Sequence, residues 1–258
     1  MLFTIIIFLQ ASEMLSFDGH DDVVYFSIKD TLMLIVENDS YRQNITQPDL
    51  NSLALERLNL DTTNSRLTIL VNIYFDEFEI ANPIGSYRGV HKVGGFYFNI
   101  KNLDSKFKSK LTSIHTFALG KRSVLNPSGV DFILSKAVDE FKSLICCTLK
   151  DHKVSVRLFS VIGDMPASSL LCGFKQSASA NLPCRICLIE RKDLSVTTLQ
   201  NIKQRDYDAH KIQVTEVAQC SATSKICGIN RASVLSNLSY FDIMILCMLF
   251  WKVLCLTL

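Results

Sequence analysis

The sequence lacks an excess of charge of either sign, because 27 Lys and Arg residues are balanced by 25 Asp and Glu residues, for a formal charge of +2. A chain so nearly neutral creates no strong overall field, so any affinity for nucleic acid has to come from local basic patches. Cysteine is too scarce for a disulfide scaffold, since nine cysteines in 258 residues are few and odd in number. Most of them are expected to be reduced thiols.

The two apolar ends each fall short of a targeting or membrane segment. Residues 1–9 (MLFTIIIFL) have the length of a signal-peptide core, but no Lys or Arg precedes them and no small-x-small cleavage site follows. The stretch 243–258 is shorter than the roughly 20 apolar residues of a membrane-spanning helix, and Lys252 interrupts it. Membrane association is therefore not expected. A secretory or membrane location stays as an alternative that rests on these two ends alone.

With 48% hydrophobic and 20% charged residues, the chain has the composition of a folded protein with a sizeable core. A strand running into a helix is predicted over 23–37, followed by a polar loop or linker over 38–64. The β-branched and aromatic pattern after it predicts strands, and one long three-and-four apolar spacing predicts a helix. The predicted elements are strands at 67–75, 93–100 and 111–120, a helix at 127–149, a strand at 154–162 and a helix at 167–174.

This order of three strands, a helix and a further strand matches the order of an RNase H-like fold, an α/β architecture with a mixed sheet and flanking helices. The first strand is expected to end at Asp76 and Glu77, and the fourth is followed by Asp164. In such a fold these two strands are neighbours, so their carboxylates can meet at one edge and hold divalent metal ions. The alternative is that both aspartates simply meet solvent at strand ends.

Three segments of the chain resemble the CACTA (En/Spm) transposases and the transposase-derived proteins of animals. A shorter similarity lies near the start, in YFSIKDTLMLIVEN, so the resemblance covers most of residues 25–241. The three carrying segments are IYFDEFEIANPIGSYRGVHKVGGFYFNIKNL (73–103), IGDMPASSLLCGFKQSASANLPCRIC (162–187) and the weaker CGINRASVLSNLSYF (227–241).

The resemblance implies an RNase H-like core that cleaves and joins DNA strands with Mg²⁺ or Mn²⁺ held by three acidic residues. Asp76 matches the first acidic position, before the Asn-Pro-x-Gly turn, and Asp164 matches the second, before Pro-Ala. Two such metal ions activate the attacking hydroxyl and stabilise the leaving oxygen. Glu77 is interpreted as a solvated neighbour, with assistance to the metal site as the alternative.

The third acidic residue is expected downstream, in an Asp-x-Met-His segment followed by a glutamate, and here the sequence departs from the family. Asp242-Ile243-Met244 begins such a segment, but neither a His nor a Glu follows it. Codons for 246–253 can be chosen so that the neighbouring reading frame spells Met-His-x-x-Leu-Glu-Gly, which suggests that the tail is out-of-frame translation. The catalytic set is therefore expected to be incomplete, and the fold to be truncated at the C-terminus.

Cys184 and Cys187 form a single C-x-x-C pair, and the family carries such a pair and a later His after its second acidic residue. Two thiolates, a histidine and a fourth ligand suit a tetrahedral structural Zn²⁺ site. The resemblance assigns His210 as the third ligand and leaves either Cys220 or Cys227 as the fourth. The alternative is a pair of buried thiols with a surface histidine.

A basic group, Arg88, His91 and Lys92, follows the first acidic position. It could contact DNA phosphates, although an ordinary solvated face has the same composition.

The sequence therefore predicts a catalytically incomplete remnant of a metal-dependent DNA strand-transfer enzyme, with a nuclear location. Three alternatives stay open: an active nuclease that recruits Glu77, Glu190 or a partner chain, a non-catalytic DNA- and zinc-binding module, and a secreted or membrane-associated protein. No small-molecule cofactor is expected, and the pattern does not indicate an oligomeric state. The expected divisions are 1–65 (N-terminal region and linker), 66–182 (RNase H-like core), 183–230 (zinc-knuckle insertion) and 231–258 (degenerate tail).

Overall fold

A computed structural model describes residues 12–17, 20–48, 58–60, 66–79, 92–108, 110–176, 180–193 and 203–243. The chain divides into two compact units. The first comprises Met1–Ser160 with Leu238–Phe241, and the second comprises Val161–Asn237 with Asp242–Leu258. Arg88, His91, the N-terminal apolar stretch and the C-terminal tail from residue 244 lie outside the described residues. Among the described residues, no helix combines the length and the apolar character needed to cross a membrane.

The described strands form one mixed sheet, which confirms the α/β class. Its spatial order is β1-β2-β5-β4-β3-β7-β6. Five of the six neighbour contacts are antiparallel, so the remaining contact, between β3 and β7, provides the parallel component. The strands are β1 (Ser12–Phe17), β2 (His20–Phe26), β3 (Leu67–Glu79), β4 (Lys92–Ile100), β5 (His115–Lys121), β6 (Cys147–Leu149) and β7 (His152–Ile162).

Helices flank these strands and continue through the second unit. The α-helices are α1 (Ile28–Glu37), α2 (Asp39–Arg42), α3 (Ser105–Lys108), α4 (Pro127–Ser143), α5 (Met165–Leu171), α6 (Tyr207–Gln219) and α7 (Thr223–Cys227). Short 3₁₀ helices lie at Leu111–Ser113, Arg122–Val124, Arg191–Asp193 and Val234–Asn237.

Strand β3 is longer than its apolar pattern predicts. Its first two-thirds are almost entirely buried, as expected for the central strand of a sheet with both faces covered. The prediction that it ends at Asp76 was wrong, because its pairing with β4 continues through Asp76↔Gly95 to Glu79↔Lys92. Asp76 therefore lies within a strand.

Helix α4 begins as predicted and ends earlier. The Asn126 side chain caps it by accepting a hydrogen bond from Gly129 N at 2.9 Å, and Pro127 follows at the start of the helix. The apolar spacing forms its buried face. The helix stops at Ser143 because 147–149 pair with β7 as strand β6.

His115, at the start of β5, is an interior histidine with an unsatisfied nitrogen. Its Nε2 has no hydrogen-bond partner, and its ring lies 5.1 Å from the Phe98 ring between centroids. Burial lowers the pKa of His115 to about 4, so the imidazole is neutral in the folded protein.

This depressed pKa predicts a pH-dependent stability. An unfolded histidine titrates near pH 6.5. The stability that depends on keeping His115 neutral is therefore fully present above that pH and is lost as pH falls towards 4. The loss should be about 3 kcal/mol in the free energy of unfolding. Denaturant unfolding of the wild type and of His115→Phe between pH 7 and pH 4 measures it. Equal pH dependence of the two proteins would contradict the assignment.

Candidate functional site

Asp76 is an exposed carboxylate on the polar face of β3 in the first unit. Residues 72, 74 and 76 share this face because side chains alternate along a strand. Asp76 accepts a hydrogen bond from the Glu77 backbone N at 2.9 Å. Glu77 points to the opposite face, where it forms an ion pair with Arg122. The structure therefore places Glu77 away from Asp76 and gives it a separate partner.

Tyr97 is the neighbour of Asp76 that the sequence analysis missed. A Cβ placed on Gly95 would lie 2.1 Å from the Tyr97 phenol oxygen, so the tyrosine lies across the glycine. Gly95 is also the cross-strand partner of Asp76. Burial and, next, the charge of Asp76 raise the pKa of Tyr97. The sequence alone gives no signal for this neighbour, because it depends on the pairing of Asp76 with Gly95.

A chain of polar contacts continues from this face into the interior of the first unit. Asn72 Nδ2 donates to Asn99 Oδ1 at 3.0 Å, and Asn99 Nδ2 donates to the Tyr74 hydroxyl at 2.8 Å. The Ser160 hydroxyl on β7 donates to Asn72 Oδ1 at 2.7 Å. Strands β4, β3 and β7 are therefore joined by side chains as well as by their place in the sheet.

Asp164 belongs to the second unit and caps helix α5. Its Oδ1 accepts a hydrogen bond from Ala167 N at 2.7 Å, which is the usual geometry of an aspartate N-cap. The side chain is exposed, and its charge acts on the buried Arg185. Asp164 thus has a structural role in the cap, with the second carboxylate oxygen remaining for other contacts.

The other acidic and basic candidates have separate surroundings. Glu190 pairs with Lys192 at 2.8 Å on the surface of the second unit. Lys92, the described member of the basic group, is partly exposed at the start of β4, opposite Glu79.

Cys184 and Cys187 lie on a tight knuckle in the second unit. Cys184 Sγ accepts a hydrogen bond from Ile186 N at 3.3 Å, and Cys187 is bridged to Gln204 in a short antiparallel pairing. The hydrogen bond from Cys187 lowers the pKa of the Cys184 thiol, and the same bond raises the pKa of Cys187. Backbone N–H groups directed at the Cys184 sulfur lower its pKa further, whereas the raised pKa of Cys187 comes chiefly from its hydrogen bond to Cys184 and from burial.

His210 and Cys227 are buried in the same unit, whereas Cys220 is exposed. The Nδ1 atom of His210 has no hydrogen-bond partner, and its ring stacks on Phe174 with centroids 5.3 Å apart. Burial lowers the pKa of His210 to about 4, so its nitrogen is available as a lone-pair donor. Cys220 instead accepts backbone hydrogen bonds in the turn after α6, which lower its pKa.

Arg205 is a second residue that the sequence analysis did not identify as functional. Its guanidinium is buried and donates to the carbonyls of Cys184, from Nε at 2.9 Å, and Cys227, from Nη2 at 2.7 Å. The thiols of Cys184, Cys227 and Cys187 all interact electrostatically with it. The C-x-x-C knuckle, Cys227 and His210 all interact electrostatically with the buried Arg205, and Cys184 interacts with the buried Arg185 as well.

The donor set of this cluster, three thiols and an imidazole with an orphaned nitrogen, matches zinc chemistry. Across the part of the chain that the structure describes, no three His, Cys, Asp or Glu side chains are yet grouped closely enough to hold one metal ion. Closing the site around an ion therefore requires these side chains to move. Compared with protein-family models and with curated proteins, the sequence matches none of them.

The two adjacent glycines of β4 should respond differently to substitution. A Cβ on Gly94 would lie 2.2 Å from Leu125 Cδ1 and 2.8 Å from Phe75 Cε2, both core atoms, whereas a Cβ on Gly95 meets only the end of Tyr97. Gly94→Ala should cost about 1–3 kcal/mol of unfolding free energy through overpacking, and Gly95→Ala less, because the phenol can swing away. Denaturant unfolding of both variants measures the difference. A larger cost for Gly95→Ala would contradict the described packing.

Proposed function

We propose that this chain is a catalytically incomplete remnant of a metal-dependent DNA strand-transfer enzyme of the CACTA type, with an RNase H-like core. The observation that carries the proposal is the run β5-β4-β3-β7 within the sheet. It consists of three antiparallel strands in sequence order and, after helix α4, a further strand beside the first of them. This is the order that the RNase H-like interpretation requires.

The position of Asp76 on the polar face of β3 supports its proposed role as a metal ligand. Asp76 is an exposed acid near the Tyr97 phenol, and such oxygen ligands suit Mg²⁺ or Mn²⁺. Asp164 would supply a second carboxylate, on the strength of the sequence resemblance. Such ions would activate a hydroxyl and stabilise a leaving oxygen of a phosphodiester. Since the third acidic residue of the family has no match in the sequence, the chain is proposed to retain the core without its activity.

The cysteine cluster of the second unit supports a zinc-binding role that survives the loss of cleavage. Cys184, Cys187 and His210 would hold the ion, and Cys227 is favoured over Cys220 as the fourth ligand. Cys227 is buried beside Arg205, which also contacts the knuckle, while Cys220 is exposed and engaged in its own turn. In this account the protein is a nuclear DNA- and zinc-binding module.

A cleavage assay tests the catalytic part of the proposal. Wild type, Asp76→Ala and Asp164→Ala proteins are incubated with branched and linear DNA in Mg²⁺ or Mn²⁺. We expect no cleavage by any of the three, because two carboxylates without the third do not complete the two-metal site. Cleavage by the wild type that is lost in both variants would overturn the proposal and establish a working nuclease.

Zinc content distinguishes the two candidates for the fourth ligand. Native mass spectrometry of protein expressed with zinc should give one Zn²⁺ per chain for the wild type and for Cys220→Ser. Cys227→Ser should lose the ion or bind it much more weakly, because a hydroxyl is a poor zinc ligand beside thiolates. Cys146→Ser, at an exposed cysteine of the first unit, is the matched control and should retain zinc. Zinc lost from Cys220→Ser but kept by Cys227→Ser would reverse the assignment.

A further inference from the structure

Arg205 is a cation placed where water cannot solvate it. Its exposed fraction is 6%, and its hydrogen bonds go to the carbonyls of Cys184, Cys227 and, at 3.4 Å, Leu182. The remaining nitrogen, Nη1, is buried and has no hydrogen-bond partner. Backbone carbonyls satisfy part of this group, but they carry no net charge to balance it.

No carboxylate in the described ranges forms an ion pair with Arg205. Its neighbour Asp206 is exposed and caps helix α6 through Ala209 N at 3.0 Å. Burying an unpaired cation is costly, so folded proteins place an anion nearby or leave the group at the surface. The groups that surround this guanidinium and can become anionic are the thiols of Cys184, Cys187 and Cys227.

The charge of a zinc centre built from this cluster matches what Arg205 lacks. Three thiolates and one neutral imidazole around Zn²⁺ carry a net charge of about −1 by simple addition of formal charges. A guanidinium carries +1 and has N–H groups that form charge-assisted hydrogen bonds to anionic acceptors. A buried centre of this kind would neutralise the buried Arg205, while Arg185, the other buried arginine that interacts with Cys184, has Asp164 as an acidic neighbour.

We propose that Arg205 is the positioning residue of a Cys184–Cys187–His210–Cys227 zinc centre, balancing its charge and holding its ligand-bearing segments together. The inference rests on the zinc-binding part of the proposed function and adds a residue that would balance the charge of the ligands. Two contacts support the positioning role. The guanidinium binds the carbonyls of two ligand cysteines far apart in sequence, and it lies 5.5 Å from the centroid of the Phe174 ring, which stacks on His210.

The close approach of backbone at Gly228 makes room for this arrangement. Gly228 has φ +74°, in the left-handed region that favours glycine. A Cβ there would lie 2.1 Å from the Leu182 carbonyl oxygen and 3.2 Å from Arg205 Nη2. The residue after Cys227 therefore has to be small for the guanidinium to reach the segment that carries the fourth ligand.

Zinc affinity, measured by competition with a chromophoric chelator, tests the proposal. The proteins are the wild type, Arg205→Gln, Arg205→Lys and the control Lys203→Gln, which removes an exposed cation two residues away. Arg205→Gln should weaken zinc binding by about 10- to 100-fold, as loss of an outer-shell partner does. Arg205→Lys, which keeps the charge, should recover much of the affinity, and Lys203→Gln should match the wild type.

Cobalt substitution distinguishes the loss of charge balance at the metal site from a loss of folding. At saturating Co²⁺, the sulfur-to-cobalt charge-transfer band of Arg205→Gln should shift to lower energy, because thiolates that lose a cationic donor hold their electrons less tightly. Unchanged zinc affinity and an unchanged band in a folded Arg205→Gln protein would overturn the proposal. So would an Arg205→Lys protein that is folded and as weak as Arg205→Gln.

A double-mutant cycle keeps the test valid if Arg205→Gln is poorly folded alone. Cys227→His converts the centre to two thiolates and two imidazoles, which with Zn²⁺ is neutral by formal charge. In that background the penalty of Arg205→Gln on zinc affinity should fall to about threefold or less, and an equal penalty in both backgrounds would contradict the charge argument. If the wild type binds no zinc, the zinc proposal itself fails, a result distinct from zinc binding that ignores Arg205.

Discussion

The structure of the first unit depends on the burial of strand β3 between β4 and β7. The apolar residues Ile69, Leu70, Val71, Ile73 and Phe75 are buried on both faces of this strand, as expected for a strand with a neighbour on each side and both faces covered. The hydrogen bonds from Ser160 to Asn72 and from Asn72 to Asn99 add a polar tie across the three strands. Asp76 owes its place on an exposed polar face to this packing, because the same strand passes from the core to solvent.

The elements that the sequence predicted correctly are mostly those whose apolar residues are buried in the core. The β-branched and aromatic runs at Leu67–Phe75, Val93–Ile100 and Val154–Ile162 form strands, and the apolar spacing after Pro127 forms one helix face. One error is the start of the strand predicted over 111–120, because Leu111–Ser113 form a 3₁₀ helix and β5 begins at His115. Two further errors fall where strand pairing competes with composition. Polar Asp76–Glu79 stay in β3 because β4 continues beside them, and 147–149 leave the helix because β7 offers a partner. A single sequence contains no signal for such pairings.

The same limit of a single sequence, which does not show tertiary contacts, applies to the candidate site residues. The C-x-x-C pair and His210 could be found by spacing and resemblance, but the choice between Cys220 and Cys227 depends on burial that spacing does not encode. Arg205 and Tyr97 were missed because their neighbours in the fold are distant in sequence. The guanidinium reaches the Cys184 and Cys227 carbonyls, and the phenol lies over Gly95, the cross-strand partner of Asp76, because Gly95 lacks a side chain. Arg205 could be recognised as a candidate site residue only after the structure showed that its guanidinium is buried.

The proposed cleavage chemistry and the proposed zinc binding depend on separate sets of ligands. Two-metal cleavage would fail with one carboxylate missing, whereas the proposed zinc site at the cysteines of the second unit would be unaffected by that loss. The proposed RNase H-like core requires β7 to run parallel to β3, and backbone nuclear Overhauser effects between the two strands test this requirement. We expect contacts that place Asn72 beside Ser160, with both strands running in the same direction. Contacts that place β7 beside another strand, or antiparallel to β3, would contradict it.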